Sequence, residues 1–408
     1  MTAVAPARRR LPAGVYLLAF SLFAMGSAEF LLAGVLPVVA EDTGVSLATV
    51  GGLITAFAIG VVIGGPPFAV ISLRWPRRTA LVVTQLVFAG SIAVGVLVGT
   101  YPALLVSRLI AGLAYAGFFA VAAVTAVGLV APDRAARASG VVVSGLSLSM
   151  ILGGPAGTFI GYQTGWKDGF WLVVVLTLVG AIAIGLAMPS SAPTVEPSVR
   201  RELAMLRRPG VWLVLLATLL STAAYMITFN YLSEILRTVT GVADAWIAAV
   251  LVVFGVGAYL GLALGGRIAD RRPHLALLTG ATGIVAASVL IGAFAGYPAI
   301  VVPLVLALGI FGFVLNPAIY GRVFTLAADA PTLAGAATVS AFQLGISIVP
   351  ALAGIALGAG MPITTAVWIG AGLAALTIPI VLIEGAASPG SRSPARAAQG
   401  ASETARDK

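Results

Sequence analysis

The chain has 408 residues, of which 60% are hydrophobic and only 9% charged, too apolar for a fold whose surface must be solvated by water. Its net charge of +9 does not point to nucleic acid, because the basic residues fall in the gaps between apolar runs and not on one exposed face. The lack of cysteine excludes disulfides and thiol chemistry, and continuous apolar runs exclude a closed barrel, whose strands would alternate over about 10 residues.

A membrane-spanning helix needs roughly 20 apolar residues. In chain order the runs predict spans over 12–38, 47–72, 79–100, 102–130, 138–162, 167–188, 210–233, 243–266, 274–295, 297–325, 332–358 and 361–384. Arg8, Arg9 and Arg10 before the first run mimic a signal peptide. The run from Leu11 to Leu36 is too long for a leader and contains Glu29, so it reads as the first span. The longest break, Pro189 to Pro209, is rich in Pro, Ser and Arg and reads as a cytoplasmic linker between 1–188 and 210–384. Residues 385–408 read as a disordered cytoplasmic tail. The N-terminus, the even-numbered gaps with their adjoining helix ends, and the tail hold 20 of the 23 Lys and Arg, which predicts that both termini are cytoplasmic.

The two halves repeat each other. Tyr101-Pro102-Ala103-Leu104-Leu105-Val106 recurs 196 residues later as Tyr297-Pro298-Ala299-Ile300-Val301-Val302, and the same shift carries Asp133 onto Asp329 and Ser144 onto Ser340. One residue further, Gly60 and Gly64 fall on Gly257 and Gly261. The expectation is an all-α membrane protein of 12 transmembrane helices in two pseudo-symmetric six-helix bundles. Two parallel halves able to rock around a midplane site form the geometry of a secondary transporter.

Two charges lie deep inside spans. Glu29 is the only carboxylate deep in one, about 10 Å from the outer end of helix one, and Arg108 lies about 9 Å from the outer end of helix four. A charge there costs roughly 2.5 to 3.5 kcal/mol on insertion scales, so it tends to face a cavity or a counter-charge. We expect Glu29 to bind protons and cargo alternately while Arg108 tunes it, burial and the guanidinium acting in opposite senses. The alternatives are a neutral Glu29 bonded to backbone, and an Arg108 that snorkels to the outer interface. His274, the only histidine, reads as a residue of the cytoplasmic edge.

Three further motifs complete the pattern. Gly145, Gly153-Gly154-Pro155-Ala156-Gly157 and Gly161 line the fifth span, where small residues permit tight packing and Pro155 bends the helix. Gly266-Arg267-Ile268-Ala269-Asp270-Arg271-Arg272-Pro273 closes the eighth span, and Gly64-Gly65-Pro66-Pro67 through Arg74-Trp75-Pro76-Arg77-Arg78 is its first-half copy. Arg108-Leu109-Ile110-Ala111-Gly112 opens a glycine-bearing stretch to Gly117.

These motifs resemble those of the major facilitator superfamily across Leu11 to about Glu384. The resemblance implies that Gly266 lets helices approach and that Asp270 and Arg271 form latching ion pairs. Arg74, Arg77 and Arg78 are the matching set, with Leu73 where the family usually has Asp; topological anchoring is their other reading. Arg108 and Gly112 match the fourth-helix motif linked to proton transfer. Gly153, Gly154, Pro155, Gly157 and Gly161 match the fifth-helix motif of the antiporter branches. The likeness is greatest to twelve-helix drug:proton antiporters, and Glu29-Phe30-Leu31-Leu32-Ala33-Gly34-Val35-Leu36-Pro37 looks most like bacterial chloramphenicol exporters.

The resemblance implies a monomer in the bacterial plasma membrane that exchanges protons for a small amphipathic drug. Its cavity-facing helices imply Met25, Tyr115, Tyr225, Asn230, Tyr231, Asn316 and Gln343 as cargo contacts. Export of a sugar or nucleoside by the same fold is the near alternative, and a passive channel or a non-transporting receptor the distant one. No enzyme, cofactor or metal site is expected: the sequence has no Cys or His cluster and no Gly-Lys-Ser/Thr phosphate loop.

Overall fold

The computed structural model describes residues 11–72, 75–131, 134–188, 204–269, 271–328 and 330–387. Among them, twelve helical segments are long and apolar enough to cross a membrane. They are α1 (Ala13–Thr43), α2 (Leu47–Ser72), α3 (Arg77–Val98), α4 (Tyr101–Gly128), α5, α6 (Trp166–Ala187), α7 (Pro209–Thr238), α8 (Asp244–Ala269), α9 (Pro273–Ala293), α10 (Pro298–Leu326), α11 (Pro331–Gly358) and α12 (Thr365–Ala387). The α5 span runs as Ala135–Leu148, a π-helical turn Ser149–Gly153, and Gly154–Gln163. Proline opens α7, α9, α10 and α11, where its missing N–H is not needed. Gly44 and Gly99 end α1 and α3 with φ of 66° and 69°.

Two expected ends are corrected, and in equivalent places. Helix α1 reaches Thr43 and α7 reaches Thr238, where the apolar runs predicted 38 and 233. The polar residues of those extra turns find side-chain partners: Arg237 pairs with Glu41 at 3.0 Å, and Asp42 accepts from Trp166 of α6 at 3.0 Å. Side-chain partners let the helices continue past the apolar stretch. At the chain's other end, α12 continues to Ala387, so the first residues of the expected tail are helical. Residues 388–408, residues 189–203 of the expected linker, and Arg8 to Arg10 lie outside the described residues.

The duplication is visible in the packing. A Cβ added at Gly60 would collide with the carbonyl oxygen of Leu109, and one at Gly257 with that of Leu306. Reciprocally, Gly112 lies against the Phe57 carbonyl and Gly309 against the Phe254 carbonyl. The shift of 197 relates all four contacts, so α2 packs on α4 as α8 packs on α10. Lipid gives no hydrophobic drive between helices, and close backbone approach through small residues supplies the attraction instead. Outward positions remain apolar: Leu97, Leu186 and Ile355 are each more than 70% exposed.

The bundles meet along α1 with α7, α2 with α11, and α5 with α8. Thr55 Oγ1 donates to the Ser347 carbonyl at 2.9 Å, and Ser233 Oγ to the Ala33 carbonyl at 3.1 Å. Phe30 meets Phe229 edge-on with ring centres 6.1 Å apart. Many of these contacts crowd towards the face opposite the termini.

Candidate functional site

Between the bundles lies a small chamber, about 10 Å³, lined by Glu29, Phe30, Ile54, Phe57, Arg108, Met226, Asn230 and Ile346. Helices α1, α2 and α4 bring the first five, and α7 and α11 of the other bundle the last three. Glu29 sits near the middle of α1, because the helix runs on to Thr43. Arg108 belongs to the early part of α4. The expected match of depths therefore rested on a helix end that lies elsewhere, yet both side chains reach the same space.

Arg108 does not snorkel: it is 3% exposed. Its Nη1 donates to the Ala28 carbonyl at 3.3 Å, and the guanidinium lies 4.7 Å from the centre of the Phe57 ring. Its buried Nε has no hydrogen-bond partner among the described residues, nor has Nδ2 of Asn230 across the chamber. Among the described residues the Glu29 carboxylate makes no ion pair within 4.0 Å, although Arg108 lines the same chamber. Glu29 is partly exposed and lines the chamber. One carboxylate acceptor and two idle donors among Phe30, Phe57, Ile54, Met226 and Ile346 give the lining the chemistry for a largely apolar molecule carrying a few polar groups, in a space closed down here to about the size of one water. Unpaired polar atoms away from water are costly, so a ligand or water that pairs them is stabilised there.

The other expected cargo residues divide. Tyr115 and Tyr225 are buried and within electrostatic reach of Glu29. Tyr115 packs 5.6 Å from Phe57, and Tyr225 packs 5.2 Å from Phe313. Met25 is fully buried one turn before Glu29. Tyr231 is not in the chamber wall but beside Gly51, with its hydroxyl unpartnered. Gln343, buried with an idle Oε1, and half-buried Asn316 also stand outside that wall. Tyr320, which the sequence reading passed over, lies within reach of both Tyr115 and Tyr225 and packs on Phe342 at 5.8 Å.

The α5 glycines lie against the helix that carries Glu29. Gly153 faces Ser27, Gly154 faces Phe30, Gly157 faces Leu31 and Gly161 faces Val35. Pro155 cannot supply an N–H, and its ring crowds the carbonyl four residues back; the chain widens into the π-helical turn just before it. Gly255 of α8 packs on Met150 and Ile151 of that turn, so the irregular backbone sits at the boundary between bundles.

The motif at the end of α8 is placed only in part. Among the described residues nothing lies within 4 Å of a Cβ at Gly266; the close approach belongs to Gly265, which faces the Val314 carbonyl of α10. One residue along a helix turns the side chain by about 100°, enough to exchange a packed face for an open one. Arg271 is exposed, Arg77 reaches over Gly128 at the end of α4, and Arg78 is partly buried. Arg74, Asp133 and Asp270 lie outside the residues whose side chains are described.

A second charged cluster escaped the sequence reading. Glu384 of α12 is buried, pairs with Arg322 of α10, and meets His274 Nε2 at 2.8 Å. His274 is therefore tied to a carboxylate inside the second bundle and is more than an edge residue.

Comparison with known proteins places this geometry. The model of the Major Facilitator Superfamily matches residues 18–350. The chain is similar to a chloramphenicol resistance protein of Streptomyces lividans, 37% identical over 352 residues, covering 85% of this chain and 90% of that one. It is 30% identical over 389 residues to the inner membrane transport protein YdhP of Escherichia coli K12, covering 91% and 96%. Among solved structures, a bacterial homologue of the human lysosomal transporter Spinster, inward-facing and unoccupied, superimposes with a TM-score of 0.70 at 15% identity, covering 92% and 95%.

Proposed function

Because the chain belongs to the major facilitator superfamily, a multi-pass membrane transporter of small molecules, we propose that it expels an amphipathic drug in exchange for protons, chloramphenicol being the first candidate. The observation that carries this reading is the Glu29 carboxylate, open to a chamber shared by both bundles and faced by idle donors of Arg108 and Asn230. A neutral, aromatic, hydroxylated drug offers acceptors to those donors and an apolar body to Phe30, Phe57 and Met226. The relative's name, a chloramphenicol resistance protein, supports the choice of drug.

Residues 1–188 and 210–384 act as the two rocking bodies, joined by 189–209. Glu29 takes a proton when the chamber faces outward and the drug when it faces the cytoplasm, so the two never share it. Arg108 supplies a fixed positive charge in the same chamber. The Lys and Arg distribution supports cytoplasmic termini, and the similarity to an inner membrane transport protein supports the bacterial plasma membrane. The protein works as a monomer, since one bundle pair completes the chamber. A potential of about 100 mV supplies about 2.3 kcal/mol per proton charge, enough for a drug gradient of tens-fold at about 1.4 kcal/mol per decade.

The test is accumulation of radiolabelled chloramphenicol in efflux-deficient cells with and without the protein. Lower accumulation that a protonophore abolishes supports the reading. Equal accumulation overturns the drug assignment, and the same assay with labelled sugars and nucleosides then identifies the cargo class.

A further inference from the structure

Arg108 is the shared wall of two cavities. On one side is the chamber with Glu29. On the other is a second cavity, wholly within the first bundle, bounded by Leu53, Ile92, Val96, Leu104, Ser107 and Phe170 and reaching Trp166. Trp166 opens α6 at the face opposite the termini, where its Nε1 donates to the exposed side chain of Asp42. The two spaces together run from buried Trp166 to Glu29, with the Arg108 guanidinium between them.

We propose that Arg108 is a fixed-charge plug that stops protons from crossing the first bundle by this line and so forces them to travel with the moving chamber. The chemistry is that of the side chain. A guanidinium has five donors and no acceptor, and it does not give up its proton. Any water that reaches it must turn an oxygen towards it, so a hydrogen-bonded wire is reversed at Arg108 and cannot relay a proton. The positive charge also repels hydronium, as an arginine does in water-selective pores. The bond to the Ala28 carbonyl and the Phe57 ring beneath hold the group in place.

The second cavity offers no relay of its own. Ser107 Oγ is spent on the Leu104 carbonyl at 2.9 Å, and the Trp166 Nε1 only donates. The remaining wall is apolar, and apolar cavities of this kind stay dry. With Arg108 in place the line is therefore closed twice, by charge and by dewetting. Removing the guanidinium empties a volume between the two spaces and lets water join them.

The proposal rests on the reading of Glu29 and the chamber, but its test needs no cargo. Purified protein is reconstituted in vesicles holding a pH dye, and a potassium diffusion potential, interior negative, drives protons inward without drug. The unaltered protein is expected to match protein-free vesicles. Arg108→Ala is expected to acidify the lumen at least tenfold faster, and adding Val96→Phe, which fills the second cavity, to restore tightness. The leak is expected to persist in Arg108→Ala combined with Glu29→Gln, because it does not use the transport carboxylate. Arg108→Met, which keeps bulk but loses the donors, is measured alongside and is expected to leak less than Arg108→Ala but more than the unaltered protein.

Tight vesicles with both Arg108 variants, each melting as a single folded species in detergent, would overturn the proposal. So would a leak that Val96→Phe leaves untouched or that Glu29→Gln abolishes. A chain carrying some cargo other than chloramphenicol would give the same drug-free result, so the two readings fail separately.

Discussion

Arg237 of α7 reaches across the boundary between the bundles to Glu41 of α1, 3.0 Å away, while also holding Glu234 of its own helix at 3.1 Å. This pair caps a seam whose deeper contacts are Thr55 with Ser347 and Ser233 with Ala33. The Glu41 side chain is 64% exposed, and pairs of that kind contribute about 0.2–1 kcal/mol. Glu41→Gln should therefore loosen the seam by no more than about fivefold. The chain has no cysteine, so Tyr231→Cys is a clean reporter. Maleimide should label it faster when Glu41→Gln is added, by up to that factor. An unchanged rate means the pair does not help hold the seam.

Inside the second bundle, Glu384 is the shared partner of Arg322 and His274. Removing one member of a buried ion pair strands the other and costs about 3–5 kcal/mol. Glu384→Ala should lower the unfolding temperature of the detergent-solubilised protein by several degrees, and His274→Ala by less, because Arg322 keeps its carboxylate. Equal effects of the two changes would contradict the asymmetry.

The paired glycines make a prediction that depends on symmetry. Gly60→Val and Gly257→Val each drive a side chain into a backbone carbonyl, overpacking that costs about 1–3 kcal/mol. Gly266→Val enters open space and should change stability by less than about 0.5 kcal/mol. Melting curves decide this; a Gly266 variant as damaged as the Gly257 variant would refute it.

Asn230 and Gln343 were equal candidates in the sequence, and only Asn230 lines the chamber. Asn230→Leu should weaken chloramphenicol binding by about tenfold, the loss of roughly one hydrogen bond to the cargo. Gln343→Leu should leave it within about twofold. Equilibrium binding of the labelled drug separates the two, and the reverse order would show that the chamber was misassigned.

Much of the fold was legible because lipid demands continuous apolar runs: the span beginning at Leu47 ends at Ser72 in sequence and structure alike. Glu29, Arg108 and Asn230 stood out because a polar group at that depth is expensive. The extra turns bearing Glu41, Asp42, Glu234 and Arg237 were not legible, since polar residues at the end of an apolar run look like a loop until their partners are seen. Arg322 and Glu384 were hidden for a related reason, as charges near span ends pass for topological anchors. The faces of α7 and α11 could not be told apart, because helices apolar on every side have no periodicity to read; that is why Tyr231 and Gln343 fall outside the chamber wall. Phe57 and Met226, which do line it, resemble any other packing residue.

The most direct test of the account is drug transport in vesicles under an imposed pH gradient, with Glu29 and with Glu29→Gln. The account predicts that the unaltered protein concentrates chloramphenicol against its gradient and that the Gln variant binds drug yet concentrates none, reaching at most equal levels on both sides. Uphill movement by Glu29→Gln at the unaltered rate would contradict it.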